Sequence, residues 1–296
     1  KTLFGSAEFN EAVHAQGKVL SSANSINFGR LVPQVVYYFS AYADLLNQGA
    51  INLGDEVNFV VPTGNFGNIL AAYYARSMGL PVNKLICASN RNNVLTDFFR
   101  NGIYDTRRQF FKTTSPSMDI LISSNLERLL FECADRDGEL IATWMKQLKE
   151  SYSYAIGEQR QEWMNSVFDA GFADDQQCAE EIRTRFEQDY YLMDTHTAVA
   201  SHVLREYREK TGDMTVAVVV STASPYKFAA DVLSAVKGKE AVEGLDAFEC
   251  SEMLEKVTGV KVPQQVKALR SLPVRHKAQC EKDTMAQAVM NAFEGK

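Results

Sequence analysis

An α/β fold is predicted, with a partly parallel sheet, helices on both faces, a mostly helical insertion and a helical C-terminal tail. Three observations predict it. Strand-like and helix-like patterns alternate through the first half of the chain. A long charged and leucine-rich stretch follows over residues 119–190. Sheet character then returns in one strongly β-branched run near residue 216.

The alternation can be followed element by element. "VNFVVP" (57–62) is a short β-rich run ended by Pro62. "NILAAYYARSMGL" (68–80) carries apolar residues at Ile69, Ala72, Tyr73 and Met78, as one face of a helix requires. Gly79 is a stop signal and Pro81 lies just beyond it. "KLICAS" (84–89) is a second strand, and "NVLTDFFRNG" (93–102) a second helix stopped by Gly102. Strand, helix, strand, helix at this spacing is a βαβ unit.

Residues 119–190 have few glycines and no proline, and read as a helical insertion. Asp174 and Asp175 precede an apolar run and suit a helix start. "MTVAVVVSTASP" (214–225) is the most strand-like run. Its continuous apolar character predicts a central strand buried on both faces. "YKFAADVLSAVKG" returns as a helix. The expected organisation is a large domain over 1–240 and a mostly helical segment over 241–296.

The chain has 296 residues, 46% hydrophobic and 23% charged, with a net charge of −6. That balance argues against a nucleic-acid partner and places the chain among globular proteins. No apolar run is long enough to span a bilayer. The five cysteines, Cys87, Cys133, Cys178, Cys250 and Cys280, form no C-x-x-C pair. They read as scattered, reduced, buried thiols of a cytoplasmic protein. The four histidines lack the i, i+4 spacing of a helical metal site. The opening "KTLFGSAEFNEAVHAQ" has no initiator methionine and no signal-peptide pattern. Leu3, Phe4, Phe9 and Val13 suggest an amphipathic helix already under way, as in a fragment or processed chain.

"PTGNFGN" (62–68) lies where a strand gives way to a helix. The first turn of a helix has unpaired N–H groups and the positive end of its dipole. Glycine permits close approach of a ligand, and Asn65 and Asn68 carry further donors. The stretch suits a phosphate. It matches neither G-x-x-x-x-G-K-[ST] nor G-x-G-x-x-G. A plain strand-to-helix turn explains the same residues.

Other motifs narrow the reading. "SANSIN" with Arg30, then "PTGNFGN", "TTSPSMDI", "SSNLERLLFE", "DTHTAVA" and "STASPYKF" occur in that order. Together they resemble threonine synthase, of the tryptophan synthase β-like family (pyridoxal-phosphate fold type II). The resemblance runs over roughly residues 18–235. It departs at Phe28, Thr114 and Thr195, where the family often has tryptophan, leucine and proline.

The resemblance implies pyridoxal 5'-phosphate as cofactor. Its phosphate would be held by Gly64, Asn65, Phe66, Gly67 and Asn68, and its ring nitrogen would be faced by Thr222. A hydroxyl donates to a neutral ring nitrogen, whereas a carboxylate would keep the nitrogen protonated. Asn24, Ser25, Asn27 and Arg30 carry donors suited to a phosphorylated amino acid. O-phosphohomoserine would be that substrate. For Ser25 and Asn24, a helix cap is the competing role. His196 is either catalytic or a residue that locks the turn at the front of a helix.

The family also needs a Schiff-base lysine, carried in a segment of the type "[SA]-F-K-D", and a cofactor-covering segment like "SGDTG". Neither is present. Lys112 in "FFKTT" and Lys227 in "PYKFAA" lack the context and read as solvated lysines. The expectation is a C-terminal portion of a threonine synthase, inactive alone. Its partner would be the missing N-terminal segment, and an exposed apolar interface would allow a homo-oligomer. The alternatives are another fold type II lyase, such as a phospholyase or a serine/threonine dehydratase, and a non-catalytic phosphate- or partner-binding module.

Overall fold

The computed structural model describes residues 3–293. The chain divides into two compact units: Ser25–Lys267, and a smaller one formed by the two ends, up to Asn24 and from Ala268.

In the smaller unit, helix α1 (Ala7–Ala15) is capped by Ser6, whose Oγ accepts from the Phe9 N–H at 3.2 Å. Phe9 and Val13, one turn apart, are its buried residues. Phe9 and Val13 sit on an amphipathic helix as expected, but the helix is not under way from Leu3: Leu3 and Phe4 lie in a 3₁₀ turn (Leu3–Gly5) ahead of the Ser6 cap.

The larger unit opens with α2 (Phe28–Leu31) and α3 (Val35–Asn47). Strand β1 (Val57–Pro62), helix α4 (Gly67–Ser77), strand β2 (Val82–Ser89) and helix α5 (Val94–Asn101) follow. These match the expected βαβ unit closely. Then come β3 (Ile103–Asp105), α6 (Leu126–Cys133), α7 (Gly138–Ser151), β4 (Ser153–Ala155), α8 (Glu158–Val167) and β5 (Phe168–Phe172). Helices α9 (Asp175–Asp189) and α10 (Thr195–Thr211), strand β6 (Ala217–Val219), and helices α11 (Ala229–Lys237) and α12 (Ala247–Thr258) complete the sheet region. Two further helices follow, α13 (Gln264–Leu269) and α14 (Met285–Phe293).

The main sheet is parallel, in the order β5-β2-β1-β6. All six residues of β1 are buried, and alternate residues enter opposite layers. Val57, Phe59 and Val61 pack with α3, α4, α5 and Phe168 on one side. Val60, with Ile86 and Ala88 of β2, packs with α9–α12 on the other. A strand flanked by helices on both faces is largely apolar, which is why "VNFVVP" does not alternate; its one polar residue, the buried Asn58, is satisfied by donating to Asp213. Each such buried Val or Phe contributes on the order of 1.5–3 kcal/mol.

Two expectations need correction. Residues 119–190 are mostly helical but not only so. β4 pairs antiparallel with β3, and β5 joins the main sheet beside β2. "FDAGF" is too short and too glycine-bearing for its strand character to show beside the helices flanking it.

The run at 216–220 is not a central strand. β6 has only three residues, all half-buried, and stands at the sheet edge. Asn58 N–H donates to Val216 C=O and Val220 N–H to Val60 C=O, both at 2.9 Å. No strand pairs with its other side among the described residues.

Cys87, Cys133, Cys178 and Cys250 are buried as expected, whereas Cys280 is exposed. Burial pushes the thiols of Cys87 and Cys178 up to about 12, so they stay protonated. No helix of the described residues is long and apolar enough to cross a membrane, and no cluster among them has the ligands for a metal ion.

Candidate active-site cleft

β1 and β6 are parallel neighbours, so their C-terminal ends open on the same side. The two segments leaving them, 62–69 and 222–227, line one cleft of about 280 Å³. Ser25, Arg30 and Gln34 line it from the α2 region, Ser117 and Met118 from "SPSM", and His196 from the start of α10. Beyond the carboxyl ends of parallel strands is where open α/β sheets bind ligands.

The loop entering α4 is asymmetric in its hydrogen bonding. Its carbonyls are occupied. Ser123 Oγ donates to Gly64 C=O at 2.8 Å, and Asn125 donates to Asn65 C=O from its N–H at 3.1 Å and its Nδ2 at 2.8 Å. Its donors are not. No described residue accepts from the backbone N–H groups of Gly64 through Ile69. The side-chain amides follow the same rule. Ser124 Oγ donates to Asn65 Oδ1, and Tyr38 Oη to Asn68 Oδ1, which leaves both NH₂ groups to donate elsewhere.

Phe66 shapes this loop. It takes a left-handed conformation, φ 64°, as the cap of α4, with no side-chain cap bond. That conformation costs a non-glycine residue of order 1 kcal/mol. Core packing holds it: the Phe66 ring lies 6.1 Å from both Phe99 and Phe168 and is 1% exposed. Gly64 is constrained by space instead. A Cβ there would lie 3.0 Å from Ser117 O and 3.1 Å from Met118 Cα, so the loop and the "SPSM" wall touch at their backbones.

That wall is itself pinned by a polar cluster. Asp119 Oδ1 accepts from Asn90 Nδ2 at 2.8 Å, Asn92 Nδ2 at 3.0 Å and Thr113 Oγ1 at 2.7 Å. Its Oδ2 accepts from Thr113 N–H at 3.0 Å. Sequence reasoning missed this role for Asp119. The asparagines of "NRNN" after β2 are the signal that stood for it.

His196 is buried and acts as an acceptor. Ser117 N–H donates to its Nε2 at 3.3 Å. Nδ1 therefore carries the proton, 3.3 Å from Asp194 Oδ1 and Thr195 Oγ1. Asp194 caps α10, accepting from the N–H groups of His196 and Thr197. Burial alone would push the Asp194 carboxyl up, but these hydrogen bonds outweigh it and hold it below the ordinary range. His196 also packs on Phe228, with ring centroids 4.8 Å apart.

The remaining predicted residues divide. Thr222 lines the cleft, and no hydrogen bond ties its hydroxyl to a described residue. Ser25 and Arg30 line the cleft; Asn24 and Asn27 do not. Asn27 Oδ1 accepts from Gly29 N–H at 2.8 Å, making it the cap of α2, a role expected of Ser25 or Asn24. Asn24 falls in the smaller unit. Lys112 is not among the lining residues, but Lys227 is.

Free amides at a helix start, an unbonded hydroxyl on the neighbouring strand end, and two cations with no carboxylate in the lining fit a phosphorylated, nitrogen-bearing ring. Residues 197–289 match the family described as threonine synthase, C-terminal. Threonine synthase-like 1 of Homo sapiens is 44% identical over 245 residues, 82% of this chain and 33% of that protein. Threonine synthase of Saccharomyces cerevisiae is 36% identical over 252 residues, covering 80% and 48%.

Among solved structures, yeast threonine synthase superposes with a TM-score of 0.82 at 32% identity, over 99% of this chain and 55% of that one. The PLP-bound threonine synthase of Brucella melitensis gives 0.71 at 39% identity, covering 87% and 55%. The chain thus spans between a third and about half the length of these relatives.

The fold is that of the large domain of pyridoxal-phosphate enzymes of fold type II. Within that class, the chain is similar to threonine synthases, and its residues 197–289 match the family described as threonine synthase, C-terminal.

Proposed function

We propose that this chain forms the cofactor-cradling part of an enzyme that converts O-phospho-L-homoserine and water to L-threonine and phosphate, using pyridoxal 5'-phosphate. The unpaired N–H groups of Gly64 through Ile69, facing no protein acceptor, carry this reading. The kinship with threonine synthases supports it.

When bound, the pyridine ring supplies an electron sink at the substrate α-carbon. This chain's residues do the rest. The amides of Gly64, Asn65, Phe66, Gly67 and Asn68 bind the cofactor phosphate at the positive end of α4. The Thr222 hydroxyl donates to the ring nitrogen. Ser25 and Arg30, which line the cleft, orient the anionic groups of the substrate. His196, already proton-bearing at Nδ1 and an acceptor at Nε2, holds the Ser117 wall rather than moving protons.

We further propose that this chain alone does not turn over, because no lysine of the "[SA]-F-K-D" type stands in it. A preceding segment of a longer polypeptide supplies that lysine and covers the cleft, and the unpaired side of β6 suits a further strand. Mixing the chain with pyridoxal phosphate and O-phosphohomoserine and assaying phosphate tests this; robust turnover sinks it. In the longer polypeptide, O-phosphohomoserine should be consumed in preference to serine or threonine. The reverse preference favours a dehydratase.

A further inference from the structure

The cleft contains a cation that the threonine synthase-like reading does not use. Lys227 follows Thr222 by five residues, on the 3₁₀ turn Pro225–Phe228, and lines the same cleft as the α4 loop. The turn is fixed by Ser224, whose Oγ accepts from Tyr226 N–H at 3.3 Å. Tyr226 is buried and donates from its hydroxyl to Val260 C=O. The side chain is directed as well. Lys227 Nζ lies 5.4 Å from the centre of the Phe228 ring, which packs on His196. A cation over an aromatic face is attracted to it but not neutralised.

No carboxylate is within ion-pair distance of Lys227 among the described residues, and none lines the cleft. Elsewhere in the chain carboxylates take up such cations: Lys261 and Lys267 both pair with Glu255. An exposed ammonium lining the same cleft as the unpaired amides, with no carboxylate in that lining, is a charge arrangement for an anion of more than one negative charge. Neutral amides supply hydrogen bonds and a dipole, and the ammonium supplies the full charge.

We propose that Lys227 is a cofactor-binding residue, its ammonium pairing with the phosphate monoester held by the N–H groups of Gly64 through Ile69. This rests on the pyridoxal-phosphate reading of the cleft. It gives Lys227 a role other than imine formation and separates the chain's two cleft cations, leaving Arg30 to the substrate side.

The test uses pyridoxine 5'-phosphate and pyridoxine, which lack the aldehyde and form no imine with lysines. Each is titrated calorimetrically into the 296-residue chain, with inorganic phosphate as a third probe. The wild-type chain should bind pyridoxine phosphate and phosphate, and bind pyridoxine more weakly. Lys227→Gln should bind both phosphorylated probes about tenfold or more weakly, with pyridoxine unchanged, and Lys227→Arg should restore most of the loss. An unchanged melting temperature confirms that the variant folds, as expected for an exposed side chain.

Equal affinity of Lys227→Gln and wild type for pyridoxine phosphate overturns the role of Lys227 while leaving the cleft reading intact. No binding of either phosphorylated probe by the wild type overturns both. Covalent labelling of Lys227 by pyridoxal phosphate after borohydride reduction also overturns the proposal, since the nitrogen then serves as a nucleophile.

Discussion

Ser117 N–H donates to Nε2 of His196 at 3.3 Å, across 79 residues of sequence, and so ties the "SPSM" wall to the start of α10. His196→Phe would keep a ring against Phe228 but remove the acceptor. The expected cost is about 1 kcal/mol, read as a lower urea midpoint at unchanged slope. Proteolytic cutting near residues 115–118 should rise in parallel. A variant as stable as wild type, with no new cutting, would show that the bond holds nothing.

Gly64 lacks room rather than conformational freedom. Gly64→Ala sets a methyl group against Ser117 O and Met118 Cα, which are backbone atoms that cannot swing aside. The loop or the wall must move by some tenths of an ångström, at a cost of about 1–3 kcal/mol. Gly138→Ala, with nothing within 4 Å of the new Cβ, is the control and should be nearly neutral. Similar midpoints for both variants would contradict the close approach.

Asp213 ties β1 and α10 to the loop just before β6. It accepts from Thr215 N–H at 2.9 Å, Asn58 Nδ2 at 2.9 Å and Tyr207 Oη at 2.7 Å. Burial would push its carboxyl up, but these hydrogen bonds outweigh burial and hold it well below the ordinary range. The stability it lends is therefore complete above the unfolded value of about 3.9, and is lost as pH falls through the folded value. Asp213→Asn should lower Tm at pH 7, and the gap from wild type should shrink as pH drops below about 4. A gap constant between pH 7 and pH 3 would contradict this.

The edge position of β6 predicts an alternating exchange pattern. Val220 N–H is bonded to Val60 C=O, so the N–H groups of Ala217 and Val219 face away from β1. In hydrogen exchange, Val220 should be protected and Val219 should exchange orders of magnitude faster. In a longer polypeptide that supplies a neighbouring strand, Val219 should become protected too. Strong protection of Val219 in this chain alone would mean its edge is already covered.

The elements built from local rules were legible in the residues. β1, α4, β2 and α5 follow from apolar spacing and from Gly79 and Gly102 as stops, and the α9 start followed from Asp174. Three features were not legible, each for a physical reason. β5 is five residues whose identity as a strand depends on pairing with β2, a long-range contact that no local pattern encodes. β6 looked central because its valines suit burial on both faces, yet position in a sheet depends on which strands are present to pair. Lys227 read as solvated and is exposed, but it also lines the cleft with the loop at 62–69, a neighbourhood that distance in sequence hides. Asn27 shows the reverse case: a donor-rich motif suggested a ligand contact, and the nearer use of its side chain is to start a helix.

Phe66 holds its left-handed backbone whether or not anything lies in front of it, because its ring is committed to Phe99 and Phe168 rather than to a ligand. The loop's entropy is thus surrendered during folding and not at encounter. An anion arriving at the cleft has no rearrangement to wait for, so its capture should be governed by diffusion and by ionic strength, and selectivity should be expressed in how long each anion stays.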